Sequence, residues 1–98
     1  MAPAYLISLE PEDGYADHDW VAEYAENVVP MVAAFGGEHL VRYQPTRVLE
    51  GDWDPGPIVL LRFPSMERLM AFYESDEYRP WRELRKGAGA GRLVAFES

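Results

Sequence analysis

Apolar positions recur along the chain in two rhythms. Ile58-Val59-Leu60-Leu61 is an unbroken apolar run with two β-branched residues, followed by Arg62, Phe63 and Pro64. It reads as a strand, closed by a proline that has no N–H to give a sheet ladder. Directly after it, Ser65 is placed as an N-cap, Glu67 lies in the first turn, and Leu69, Phe72 and Tyr73 fall at helical spacing. That spacing predicts a helix. One short stretch thus sets a strand, a helix packed on it and the corner between them.

The remaining pattern repeats this alternation. Tyr5 to Glu10 reads as the first strand, ended by Pro11 and the loop Glu12-Asp13-Gly14. Trp20, Tyr24, Val28, Met31, Val32 and Phe35 form a helical stripe, with Asp17 or Asp19 placed to cap it. Pro30 inside the stripe removes one backbone bond and should bend the helix. Gly36-Gly37 stops it, the first glycine suited to a left-handed cap. His39 to Tyr43 reads as a strand, broken at Gln44-Pro45 and resumed over Thr46 to Glu50, which predicts one long strand with a bulge or kink. A turn-rich loop from Gly51 to Pro57 carries Trp53 at its centre. Beyond the central strand and helix, Ser75-Asp76 restarts a helix with Tyr78, Trp81, Leu84 and Arg85 on one side. Gly87 to Gly91 reads as a hinge, and Arg92 to Glu97 as the last strand.

The order β-α-β-β-α-β, with a short extra helix, predicts an α+β fold of ferredoxin-like type. Its four-stranded antiparallel sheet would carry the helices on one face. No repeat or internal boundary is visible, so residues 1–98 read as one domain.

The strands are apolar on both faces at Leu6-Ile7, Leu40-Val41, Ile58 to Leu61 and Leu93 to Phe96. Two main helices cover only one face of such a sheet, so the other needs a cover or shorter strands. A second copy is the simplest cover, and isologous packing of two sheets gives a barrel-like homodimer. A chain of 98 residues, near the low end of independent stability, gains from that association.

A formal net charge of −8 argues against nucleic acid and against anionic membrane surfaces as partners. The chain contains no cysteine, hence no disulfide, thiolate metal site or thiol nucleophile. No apolar run reaches membrane-spanning length, and Met1-Ala2-Pro3-Ala4 lacks the basic start of a signal peptide. A cytoplasmic protein is the expectation.

Candidate chemistry is sparse. His39 and His18 are the side chains that titrate near neutral pH, and His39 opens a strand where it can face a pocket as a general base. His18, among Asp17 and Asp19, is most simply solvated. A structural role for His39 is the competing reading. Arg42 and Arg62 are charges in apolar strands. Each is either a clamp for a carboxylate or enolate, or the partner of an acid such as Glu50, Glu74 or Glu97. Trp20, Tyr24, Trp53, Tyr73, Tyr78 and Trp81 make a rich aromatic set. Most belong to a core at such spacing, but Trp53 sits in a loop, and Tyr73 or Tyr78 can donate a proton to an oxyanion. No phosphate-binding glycine loop, paired-histidine metal motif or cofactor motif appears.

Tyr24, Val28-Val29-Pro30, Phe35 through Arg42, Val48 through Trp53, Arg62-Phe63-Pro64-Ser65, Phe72 through Tyr78 and Arg85 together resemble the DUF1330 family of the dimeric α+β barrel superfamily. The resemblance covers most of the chain in order and implies a ferredoxin-like homodimer, but no reaction. Two positions depart from it: His39 stands where an aromatic such as tyrosine is expected, and Arg62 where an acid is usual. Families sharing the barrel include cofactor-free monooxygenases, polyketide cyclases, muconolactone isomerases and haem-degrading enzymes, an analogy of fold alone. The last helix has no histidine for a haem, and Asn27 is the chain's one asparagine, a poor basis for oxygenase chemistry. Two readings remain from the sequence. One is a pocket for a small aromatic or polyketide-like molecule, with His39 as base, Arg42 or Arg62 as clamp and Tyr73 as donor, serving isomerisation, cyclisation or oxygenation without a cofactor. The other is a non-catalytic module with every buried charge paired.

Overall fold

A computed structural model of the chain describes residues 2–10, 20–87 and 92–98. Its elements are β1 (Ala4–Leu9), α1 (Val21–Ala34), β2 (Glu38–Gln44), β3 (Ile58–Phe63), α2 (Met66–Tyr73), α3 (Arg79–Gly87) and β4 (Arg92–Glu97). The strands form one four-stranded sheet in the order β2-β3-β1-β4. All three pairings are antiparallel, which is the ferredoxin-like arrangement.

Burial along β1 alternates residue by residue, so one sheet face is lined by Ala4, Leu6 and Ser8. Across the ladder these residues oppose Phe63, Leu61 and Val59 of β3. The helices supply Val28, Val32, Leu69 and Phe72 to the same core. Phe63 and Phe72 stack with their centroids 5.6 Å apart, and Tyr78 packs 4.6 Å from Phe72. Each buried aromatic of this kind is worth roughly 1.5–3 kcal/mol of transfer free energy.

Local chemistry sets the helix ends. Gly36 has φ 84°, its N–H donates to Ala33 O at 3.0 Å, and the N–H of Gly37 donates to Val32 O at 2.8 Å. That pair of bonds is a Schellman cap. Pro30 sits on the exposed side of α1 and the helix runs through it, since water can reach the carbonyl the proline leaves unpaired. Ser65 Oγ accepts from the Arg68 N–H at 3.2 Å and caps α2. Ser75 caps a turn by accepting from the Tyr78 N–H at 3.2 Å, and α3 starts only at Arg79. The proposed caps Asp17 and Asp19, along with His18 and most of the glycine hinge, lie outside the described residues.

One expectation is corrected. Thr46 to Glu50 does not resume β2; the chain from Pro45 to Pro57 makes no strand. Tyr43 adopts φ 51°, Pro45 follows, and the β2–β3 register slips twice before Gln44, so the ladder has lost its geometry there. Among the described residues, no helix is long and apolar enough to cross a membrane.

Candidate functional site

Between α1 and the helix-facing side of the sheet lies a cavity of about 230 Å³. Leu6 and Leu61 of the sheet, Val28, Val29 and Val32 of α1, and Phe72 of α2 give it mostly apolar walls. Three sets of polar groups interrupt them.

The first comes from the edge strand β2. His39, Arg42 and Tyr43 all line the cavity. In a regular strand, residues three apart face opposite sides, and so do neighbours. The register slips between His39 and Gln44, with the left-handed backbone at Tyr43, override that alternation. His39 and Tyr43 share a face by alternation, and the irregular strand brings Arg42 to the cavity with them. Partial burial, and then the nearby Arg42 charge, hold the His39 pKa below its ordinary value of 6.5, so its imidazole is neutral at neutral pH. Among the described residues, Arg42 has no carboxylate partner.

The second set is an ion pair. Ser8 and Glu10 at the end of β1 meet Arg85 of α3, and all three are buried. Arg85 Nη1 donates to both Glu10 carboxylate oxygens, at 3.2 and 3.1 Å, and Nη2 donates to Ser8 Oγ at 3.2 Å. The Ser8 hydroxyl donates to Glu10 Oε1. The Glu10 N–H is held by Pro57 O at 2.8 Å, which ties the 45–57 loop to the site. The two charges cancel and their hydrogen bonds converge, as a buried pair requires.

The third set is a pair of phenols. Tyr24 of α1 and Tyr78, just before α3, join their hydroxyls at 2.7 Å. Burial raises both pKa values. For Tyr24 the Arg85 guanidinium, its Cζ 5.8 Å from the ring centroid, opposes that rise. Both phenols stay protonated near neutral pH.

Of the residues singled out in the sequence, the structure brings His39, Arg42, Trp20, Tyr24 and Tyr78 to this cavity. Arg62 lies on the other face of the sheet, beside Tyr5 in the ladder, and pairs with Glu38 at 3.5 Å in an exposed contact. Its partner is none of Glu50, Glu74 and Glu97. Tyr73 lies outside the lining, with Arg82 over its ring at 5.2 Å. Trp81 braces the site from behind, edge-on to Tyr24 at 6.1 Å. Trp53 is half-exposed in its loop, away from the cavity. Ser8, Glu10 and Arg85 were not singled out as site residues. Their signal was an acid closing an apolar strand, and an arginine on the apolar side of a helix. Among the described residues, no cluster of His, Cys, Asp or Glu could hold a metal.

The fold is similar to that of two crystal structures. The methylated RPA0582 protein aligns over 99% of this chain and 81% of its own, with a TM-score of 0.72 and 19% identity. RPA0582, a protein of unknown function from Rhodopseudomonas palustris, aligns over 99% of this chain and 82% of its own, with a TM-score of 0.66 and 21% identity. At such identities the likeness is one of fold. No curated protein matches the chain. The family model described as "Domain of unknown function (DUF1330)" matches residues 3–98, and the chain belongs to that family.

Proposed function

We propose that the cavity binds a small, largely apolar organic molecule bearing a carbonyl, and that His39 moves a proton on it without a cofactor. The observation carrying this reading is that a neutral imidazole and a cation, His39 and Arg42, line one apolar cavity. The size fits a single-ring molecule with a short substituent, because a dry cavity of about 150 Å³ already accommodates benzene.

The step needs only these groups. The His39 imidazole takes a proton from the carbon beside the carbonyl, and the C–H electron pair passes into a carbon–carbon double bond. The carbonyl π pair moves to oxygen, and the guanidinium of Arg42 meets the enolate charge. Where the substrate carries a β,γ carbon–carbon double bond, the enolate extends to the γ carbon, and returning the proton there as the electrons move back to the carbonyl completes an isomerisation. Phenylacetone in deuterated water tests this. Its CH₂ protons are expected to exchange faster with the wild-type protein, and the gain to vanish in His39→Gln. Unaccelerated exchange of a ketone that demonstrably binds would end the proton-transfer reading and leave a binding protein. The binding-only alternative draws support from the Glu10–Arg85 and Arg62–Glu38 pairs; Arg42 is the charge it does not accommodate.

The working unit in this proposal is a homodimer closed through the open sheet face into a barrel. On that face Tyr5 stacks on Phe96 with centroids 5.3 Å apart, and Ile7 is flanked by Leu60 and Val94. Such a contiguous apolar patch is unusual on a small monomer.

A further inference from the structure

Two phenols in the cavity share one hydrogen bond, and the proton count of that bond has a consequence for the ligand. Tyr24 and Tyr78 carry two hydroxyl protons, and the 2.7 Å contact between them uses one, whichever oxygen donates. Arg85, with its Cζ 5.8 Å from the Tyr24 ring centroid, only donates, so it takes up neither proton, and Glu10 acts on Tyr24 through its charge, with no hydrogen bond between them among the described residues. Among the described residues one phenolic proton is therefore left over, on a pair that lines the cavity. Tyr78 is almost fully buried while Tyr24 is partly open, so Tyr24 is the member that presents it.

We infer that Tyr24 and Tyr78 act together as a single hydrogen-bond donor to the bound molecule, which therefore carries a carbonyl or oxyanion oxygen at this end. This rests on the cavity being the binding site. With Tyr78 donating to the Tyr24 oxygen and the Arg85 charge close by, its Cζ 5.8 Å from the Tyr24 ring centroid, the Tyr24 O–H is polarised and the bond it gives is strengthened. Glu10 keeps Arg85 in place, so the ion pair positions the donor and does not itself bind the ligand. An enolate or phenolate oxygen satisfies the leftover proton, whereas a hydrocarbon of the same shape leaves it buried and unpaired, at a cost.

The test uses 4-nitrophenolate and 4-nitrotoluene, in which a methyl group replaces the phenolate oxygen, on the full chain. The variant is Tyr24→Phe with Tyr78→Phe, which removes both hydroxyls and orphans neither. Wild-type protein is expected to bind 4-nitrophenolate about tenfold to a hundredfold more tightly than the double variant, the range for a hydrogen bond to a charged group. Its visible absorption band should move to shorter wavelength only in the wild type, while 4-nitrotoluene binds both proteins alike. Retention of phenolate affinity by the double variant, or parallel loss of both probes, overturns the inference. Wild-type binding of 4-nitrotoluene alone overturns it too, yet leaves the cavity reading standing. Binding of neither probe removes both. If the double variant does not fold, Tyr24→Phe carries the test: a severalfold drop for the phenolate alone supports the inference, and any other pattern overturns it.

Discussion

Arg85 and Glu10, 75 residues apart in the chain, meet as a buried ion pair in which one guanidinium nitrogen reaches both carboxylate oxygens. The contact joins the last helix to the end of the first strand, and its polar atoms form part of the cavity wall. Removing one partner strands the other charge away from water. Arg85→Met is expected to destabilise the fold by roughly 3–5 kcal/mol, read as a lower denaturant midpoint. Replacing Glu10 as well should cost much less than the sum of the two single changes, and an additive double-variant cycle would show that the pair is not coupled.

The folded-state pKa of His39 lies below its ordinary 6.5, because burial and Arg42 both oppose its charge. Well above pH 6.5 the residue is neutral in folded and unfolded chains alike and contributes nothing to the pH dependence. As the pH falls below that value the unfolded chain takes up the proton first, so stability declines until the folded pKa is passed, after which the loss is constant. His39→Gln should flatten this part of the stability profile. Proton transfer by His39 would follow the folded pKa, rising with pH as the imidazole becomes neutral. The midpoint of the rate profile should coincide with the lower pH at which the decline in stability levels off.

Arg42 is exposed at its strand, so removing its charge should spare the fold. Arg42→Met is expected to weaken 4-nitrophenolate binding about two- to fivefold, the scale of an exposed ion pair. The difference should shrink with added salt, and 4-nitrotoluene should be unaffected. Equal weakening of both probes would instead assign Arg42 a packing role.

Gly37 is closed to larger residues. A Cβ built there would lie 2.7 Å from Phe63 Cε1 and 2.7 Å from Val32 Cγ1, both core atoms. Gly37→Ala is expected to cost about 1–3 kcal/mol through overpacking, visible in denaturant unfolding.

The elements were legible where local signals agreed, as at Ser65 before α2 or Gly36 after α1. They failed at Thr46 to Glu50, where Val48 and Leu49 look strand-like but Leu49 is 87% exposed and the ladder has already slipped. The site was half legible. His39 and Arg42 stood out as polar residues in an apolar strand, yet so did Arg62, and period-two alternation does not say which face is the inner one. Only the pairing of Arg62 with Tyr5 across the ladder puts it outside. Glu10 and Arg85 were unreadable as a pair, because their contact depends on the packing of the last helix over the first strand.

The sheet face away from the helices carries exposed apolar side chains. Val94 is 57% and Phe96 45% exposed there, on the edge strand β4, with Tyr5 and Ile7 of β1 alongside. The proposed dimer would remove this surface from water at roughly 25 cal/mol per Å² of apolar area. Because an isologous interface uses the same patch twice, one substitution places two like charges in it. Val94→Glu should therefore shift the size-exclusion mass from dimer to monomer, while Leu84→Glu, an exposed apolar position on α3, should not. A wild-type chain that sediments as a monomer at high concentration would remove the barrel from the proposal. The helix-side cavity would remain, because all the groups that line it come from a single chain.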